Sequence, residues 1–259
     1  MRAHRIGRGR GTVLGLALAL SGGLLSACGG DDPAPPTKAQ PPGGSSQEAA
    51  TPTAGSNGEF PEFSDPTAIT NPWFPLSQLK SYELVGNEEG KPYKAEIDLL
   101  PRTKTIEWAG GSTEVAVARH RSYLEGELVE IAWDYYAQGD DGGVWYFGEA
   151  VNYYKNGKIV NHEGAWLAGQ GGAPPGLLIP GKPRPGQVFW SEDHAEEGII
   201  ERDKVIRLDE SVKTPEGTSS NGLLVRAIQD DGTKEEKTYV RGLGVVLEVS
   251  KESQLRLAS

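Results

Sequence analysis

AWDYYAQGDDGGVWYFGE, residues 132–149, sets two arms of alternating residues on either side of a short acidic, glycine-rich turn. Alternation with period two marks a strand with two different faces, and Asp and Gly at the joint favour a tight hairpin turn. If Asp141 and Gly142 are the central turn residues, opposed residues sum to 283 and share a face. One face then carries Trp133, Tyr135, Ala137, Val144 and Tyr146, continuing back through Val129 and Ile131 as a core face. The other carries Asp134, Tyr136, Gln138, Trp145, Phe147 and Glu149, so three large rings lie among two carboxylates and an amide. An odd-length loop would instead group Trp133, Tyr135, Trp145 and Phe147. Under either register both faces hold aromatics, and something must cover the second one.

The same pattern runs outward in both directions. SYELVG and KAEIDLL flank NEEGKP, and TKTIEW and TEVAVARHRSYL flank AGGS. Asn156-Gly157 separates VWYFGEAVNYY from KIVNHEGAW as a strong hairpin signal. QVFWSEDH, IERDKVIRL, GLLVRAIQ, EKTYV and GVVLEV continue the series. No window of ten or more residues carries a 3.6-residue apolar stripe, and short helical turns fit only near 77–79 and 195–198. These features predict an all-β domain over 67–259. It is an antiparallel meander of about eleven strands forming a strongly curved sheet or partial barrel, with minimal helix.

Residues 168–186, AGQGGAPPGLLIPGKPRPG, are long for a loop in a compact domain, and such segments are often lids or binding loops. Leu177, Leu178 and Ile179 give this one an apolar tip between Pro175 and Pro180. It reads either as a permanently docked loop that completes the core or as a movable lid over an aromatic groove. The groove reading assigns Asp134, Tyr136, Trp145, Phe147, Glu149, Leu177, Leu178 and Ile179 to a small apolar or carbohydrate ligand.

The beginning of the chain has a different character. Arg2, Arg5, Arg8 and Arg10 precede the apolar run TVLGLALALSGGLL at 12–25, which has the length of a signal-peptide h-region. LSAC at 25–28 resembles the lipobox of bacterial lipoproteins. That resemblance implies cleavage after residue 27, diacylglyceryl attachment to Cys28 and anchoring on the extracytoplasmic side of a cell membrane. Cys28 is the sole cysteine, which leaves no disulfide partner within the chain and no thiolate metal site. Residues 28–66 are rich in Pro, Gly, Ser, Thr and Ala and read as a disordered tether.

The chain carries 26 basic and 36 acidic residues. Without the four leader arginines the balance is 22 against 36, or −14, a charge that repels nucleic acid and anionic headgroups. No nucleophile elbow of the G-x-S-x-G kind, no phosphate loop and no paired histidine motif is present. No catalytic residue, cofactor or metal is therefore assigned. Ser191–Glu197 reads as a solvated acidic hairpin end ahead of a cation site, and Asp140-Asp141-Gly142 as a plain turn ahead of a calcium loop.

DYYAQGDDGGVWYFGE, YYKNGKIVNHEGAW, GAPPGLLIPGKPRPGQ, LDESVKTPEGT and GLGVVLEV, with ITNPWFPL at 69–76, together resemble a family of uncharacterised bacterial extracytoplasmic lipoproteins. The resemblance implies a lipid-anchored, β-rich domain and brings no catalytic residue. SSNGLL at 219–224 departs from it, lacking an expected aromatic and cysteine. A weaker similarity links such meanders to curved half-barrel envelope proteins that carry lipids. The leading expectation is a non-enzymatic, membrane-anchored protein that binds a ligand or envelope partner. Two others stay open: a cell-wall or glycan hydrolase using Asp134 and Glu149, and a structural envelope protein.

Overall fold

The computed structural model describes residues 60–194, 197–229 and 231–258. The expected leader at 1–27, the attachment point Cys28 and the tether as far as residue 59 lie outside the described residues.

The chain is all-β, as its alternation implies. One helical turn, α1 (Leu76–Leu79), precedes β1 (Ser81–Glu88), β2 (Lys91–Trp108), β3 (Gly111–Leu124), β4 (Glu127–Gln138) and β5 (Val144–Lys155). Three short strands follow: β6 (Lys158–Asn161), β7 (Trp166–Leu167) and β8 (Gly176–Ile179). The second half comprises β9 (Val188–His194), β10 (Ile199–Thr214), β11 (Gly217–Gln229), β12 (Lys234–Val240), β13 (Gly244–Ser250) and β14 (Ser253–Leu257). The fourteen strands exceed the expected eleven because β7, β8 and β14 are too short to show a sustained alternation, while KAEIDLL and TKTIEW run on as the one strand β2.

The sheet runs β6-β5-β4-β3-β2-β1-β14-β13-β12-β11-β10-β9, with β7 and β8 both pairing β5. Two sequential meanders are thus joined through β1 and β14, for example at Leu84 opposite Leu257. The sheet curls until its ends approach. Gly176 of β8 lies so close to β9 that a Cβ there would fall 1.8 Å from the Ser191 carbonyl oxygen. Only glycine allows that seam.

A second brace crosses one end. Asn71 donates from Nδ2 to the Gly142 carbonyl at 2.8 Å, while the Gly242 N–H donates to the Pro72 carbonyl at 2.8 Å. The segment around Pro72 therefore ties the β4–β5 turn to the β12–β13 turn, across the curl. Trp73, Phe74 and Leu76 are buried by this crossing.

The body begins earlier than residue 67. Phe60 packs edge-on against Trp108 at 4.7 Å, and Phe63 against Phe147 at 5.7 Å. Two phenylalanines in a proline-rich run supply the apolar area that a tether lacks, so residues 60–66 are packed chain.

Candidate functional site

The β4–β5 hairpin starts in the expected register, with Asp134 opposite Glu149. It then slips. Tyr136 faces Tyr146, Ala137 faces Trp145 and Gln138 faces Val144. The extra residue on β5 is accommodated at Phe147-Gly148, where Gly148 holds φ +103°, a conformation that favours glycine. Beyond such a bulge every side chain on the strand changes face. Tyr146 therefore joins Asp134, Tyr136 and Glu149, whereas Trp145 and Phe147 turn to the opposite side. The structure thus divides the eight proposed ligand residues between two environments.

On the outer side Trp145 lies 5.3 Å from Phe60, and Trp108 lies 5.8 Å from Phe147. Leu177 pairs with Trp145, and Ile179 with Val144, as β8 adds to the edge of β5. Leu177 and Ile179 are buried, and Leu178 is partly so. The loop is a docked strand with its Leu177–Ile179 run in the ladder, and Phe60 and Phe63 fill the remaining space over the rings. This cluster is packed core.

The inner side is of another kind. Following the ladders, Glu130, Asp134 and Tyr136 of β4 share a face with Tyr146 and Glu149 of β5. The same face continues through Tyr82 and Glu88 of β1 to Glu248 of β13 and to Glu235, Lys237 and Tyr239 of β12. It ends on Glu201 and Asp203 of β10 and Glu192 and His194 of β9. Nine carboxylates there are buried, and Lys237 is the one buried lysine or arginine among the described residues.

The polar groups are arranged in two acidic patches. In the first, the Tyr146 hydroxyl donates to Asp134 Oδ1 at 3.1 Å. Burial raises the Asp134 carboxyl to about 7 against that hydrogen bond. Burial, then Asp134 and Glu88, raises Glu130 to about 8. Glu149 is pushed well up by burial and by Asp134. In the second patch, Lys237 Nζ lies 3.1 Å from Glu235 Oε2 and 3.9 Å from Glu201 Oε1. Burial works against the Lys237 charge, but Glu201 and Glu235 outweigh it and hold the ammonium protonated. Burial likewise lifts Glu235 to about 8 and Glu248 to about 7, with Lys237 opposing both shifts. Ser191 donates from Oγ to Glu201 Oε1 at 2.9 Å. Three acceptor oxygens in this patch, Glu201 Oε2, Glu235 Oε1 and Glu248 Oε2, are buried without a hydrogen-bond partner.

The patches face each other. Tyr136 of β4 is raised by burial and by Asp134, and Lys237 of β12 partly offsets that rise. Tyr82 senses Glu248 and Asp134 together, beneath a larger effect of burial. Residues six ladders apart along the sheet thus come within electrostatic reach of each other across the interior.

Ser191–Glu197 also differs from its reading as a solvated end: Ser191, Glu192 and His194 are buried, and the Trp166 indole donates to Glu192 Oε1 at 3.0 Å. The Asp140-Asp141 pair does serve a turn. Asp141 Oδ1 accepts from the Gly143 N–H at 2.9 Å, and Asp140 accepts from Ser64 N–H at 3.0 Å and from its hydroxyl at 2.7 Å.

Sequence reasoning missed Lys237, Glu201, Asp203, Glu235 and Glu248 as site residues. A signal was present. Glu201 and Asp203 stand in phase with Ile199 and Val205, and Glu235 and Lys237 in phase with Tyr239, so charge occupies the buried phase of each strand.

No protein-family model and no curated protein matches this chain. Among solved structures, one from Bacteroides fragilis, described as an exported protein with a YmcC-like fold, aligns at 10% identity with a TM-score of 0.37. The alignment covers 68% of this chain and 92% of that one. At that score the site's chemistry rests on this chain's own residues.

Proposed function

We propose that this chain is a lipid-anchored extracytoplasmic binding protein that holds a polar ligand inside its curled sheet. The observation that carries the reading is the inner wall. Unpaired buried acceptors are costly, on the order of 1–3 kcal/mol each, and a fold keeps them where a ligand, water or proton completes them. Tyrosine rings and carboxylates together suit a ligand rich in hydrogen-bonding groups better than a hydrocarbon. LSAC at 25–28 supports the location, with Cys28 as the lipid attachment point. Among the described residues no helix is long and apolar enough to cross a membrane.

Binding is favoured over glycan hydrolysis by where the unpartnered acceptors lie: Glu201, Glu235 and Glu248 carry them beside Lys237, away from the opposed Asp134 and Glu149.

The test has two arms. Native mass spectrometry of the full chain, purified gently from its source membrane, is expected to show a bound small molecule that denaturation releases. Palmitate labelling is expected to mark the wild type and not Cys28→Ala, which should leave the membrane fraction. A chain that carries nothing removes the binding reading, and unchanged membrane association of the variant removes the anchor.

A further inference from the structure

The inner wall holds far more negative than positive potential charge. Around Lys237 stand Glu201, Glu235 and Glu248, each at most 5% exposed, together with Asp203. One ammonium faces four carboxyls. Its own contacts, to Glu235 Oε2 and Glu201 Oε1, show what the patch is shaped to receive. The second oxygen of each of those two carboxyls, and Glu248 Oε2, are buried and unpartnered. A buried carboxylate is tolerated when it is paired and hydrogen-bonded. Three acceptors beside a single donor cation leave room in the hydrogen-bond pattern for another donor.

Resting on the reading of the interior as a ligand compartment, we propose that the patch around Lys237 accepts a second ammonium group, and that the ligand is an organic amine with more than one positive charge. Three observations choose this chemistry. Tyr239 lies within electrostatic reach of Lys237, Asp203, Glu248 and Tyr82, which places rings as well as carboxyls around the patch. Ring faces attract ammonium ions. Among the described residues, no three His, Cys, Asp or Glu side chains converge at metal-ligand spacing. An ammonium uses longer hydrogen bonds than a metal ion and needs no such convergence. Finally, Glu130, Asp134 and Glu149 form a second acidic patch on the same face of the sheet, and Tyr136 beside it feels both that patch and Lys237. A flexible amine with charges at both ends can reach from one patch to the other.

Spermidine is the probe. The full chain is titrated calorimetrically at about pH 8, where more of the inner acids can ionise, with matched sodium chloride and calcium chloride as controls. Saturable binding is expected, with a rise in melting temperature that neither salt reproduces. Glu248→Gln is expected to weaken binding roughly tenfold by removing one charge-assisted contact. Asp209→Asn, on the exposed phase of β10, is expected to leave it unchanged. Glu235→Gln serves in the same role if Glu248→Gln does not fold by circular dichroism. Absence of saturable binding overturns the proposal, as does binding that Asp209→Asn weakens as much as the inner variants do. A neutral ligand found by native mass spectrometry, with no spermidine binding, leaves the compartment standing and removes the amine. Failure of both experiments removes both.

Discussion

One hairpin, β4–β5, has two buried sides that are stabilised in opposite ways. Outside, Trp145 and Phe147 meet Phe60, Phe63 and Trp108 in ring contacts of 5.3 to 6.4 Å. Inside, the same strands present Asp134, Tyr136, Tyr146 and Glu149 to an interior crowded with other acids. Both sides exclude water almost equally well. Burial by itself therefore does not distinguish core from site. What distinguishes them is whether the buried groups gain or lose by being there. Rings gain through apolar area, and carboxyls lose solvation that only a proton or a partner restores.

The sharpest break of this contrast is Trp145→Ala. If the outer cluster is packed core, the change costs about 3–5 kcal/mol in denaturant unfolding, through lost area and a residual cavity. It should leave the melting-temperature response to spermidine intact. A cost below about 1 kcal/mol would show that the outer rings are loosely held after all.

Next in size is the pH dependence of stability, which belongs to the inner side. Glu130 and Glu235 are raised to about 8, and Asp134 and Glu248 to about 7. The folded state thus binds more protons than the unfolded chain once pH exceeds the ordinary carboxyl range. Their stabilisation is complete below about 4.5 and is lost as pH rises toward 8. His120 works the other way, because burial lowers it to about 4 and the unfolded chain takes up its proton between 4 and 6.5. Above about 6.5 only the acids remain. There each still-protonated acid removes about 1.4 kcal/mol per pH unit. Melting temperature is expected to fall between about pH 6.5 and 8. Glu235→Gln should flatten the decline. A flat or rising profile would mean that the inner acids are hydrated and ionised.

Tyr146→Phe gives the smallest effect. Losing the hydrogen bond to Asp134 Oδ1 should cost about 1 kcal/mol and move the decline of stability on raising pH slightly upward, since that bond favours the ionised carboxylate. A difference-spectroscopy titration of the buried tyrosines reads the same change.

The strands were legible because turn chemistry and alternation agree, as at Asn156-Gly157 between β5 and β6. The separation of Trp145 and Phe147 from Asp134 and Glu149 was not, because a single bulge at Gly148 inverts the strand beyond it. A count of residues between turns carries no mark of such a slip, although a glycine inside an aromatic strand is a known hint of one. The four residues of β8 were hidden by flanking prolines and by their brevity. Phe60 and Phe63 were hidden by composition, because averaging over a proline-rich stretch dilutes two anchoring rings. The inner acids were visible in phase but could not be weighed, since a carboxylate in the buried phase of one strand is ordinary and becomes telling only when seven strands bring such residues together.

The clasp between Ser64 and Asp140 would gain a mechanical meaning if the chain is held at Cys28, as proposed. A pull on the chain ahead of Phe60 would load the Phe60 contacts with Trp108 and Trp145 first and that clasp next, because both Ser64 hydrogen bonds end on a carboxylate of the β4–β5 turn. Tension would next reach the Asn71 brace on that turn, before any strand is drawn out of register. A pull from that side would thereby be delivered to the rim of the curl, so drawing on the N-terminal chain and opening one end of the interior would become the same movement.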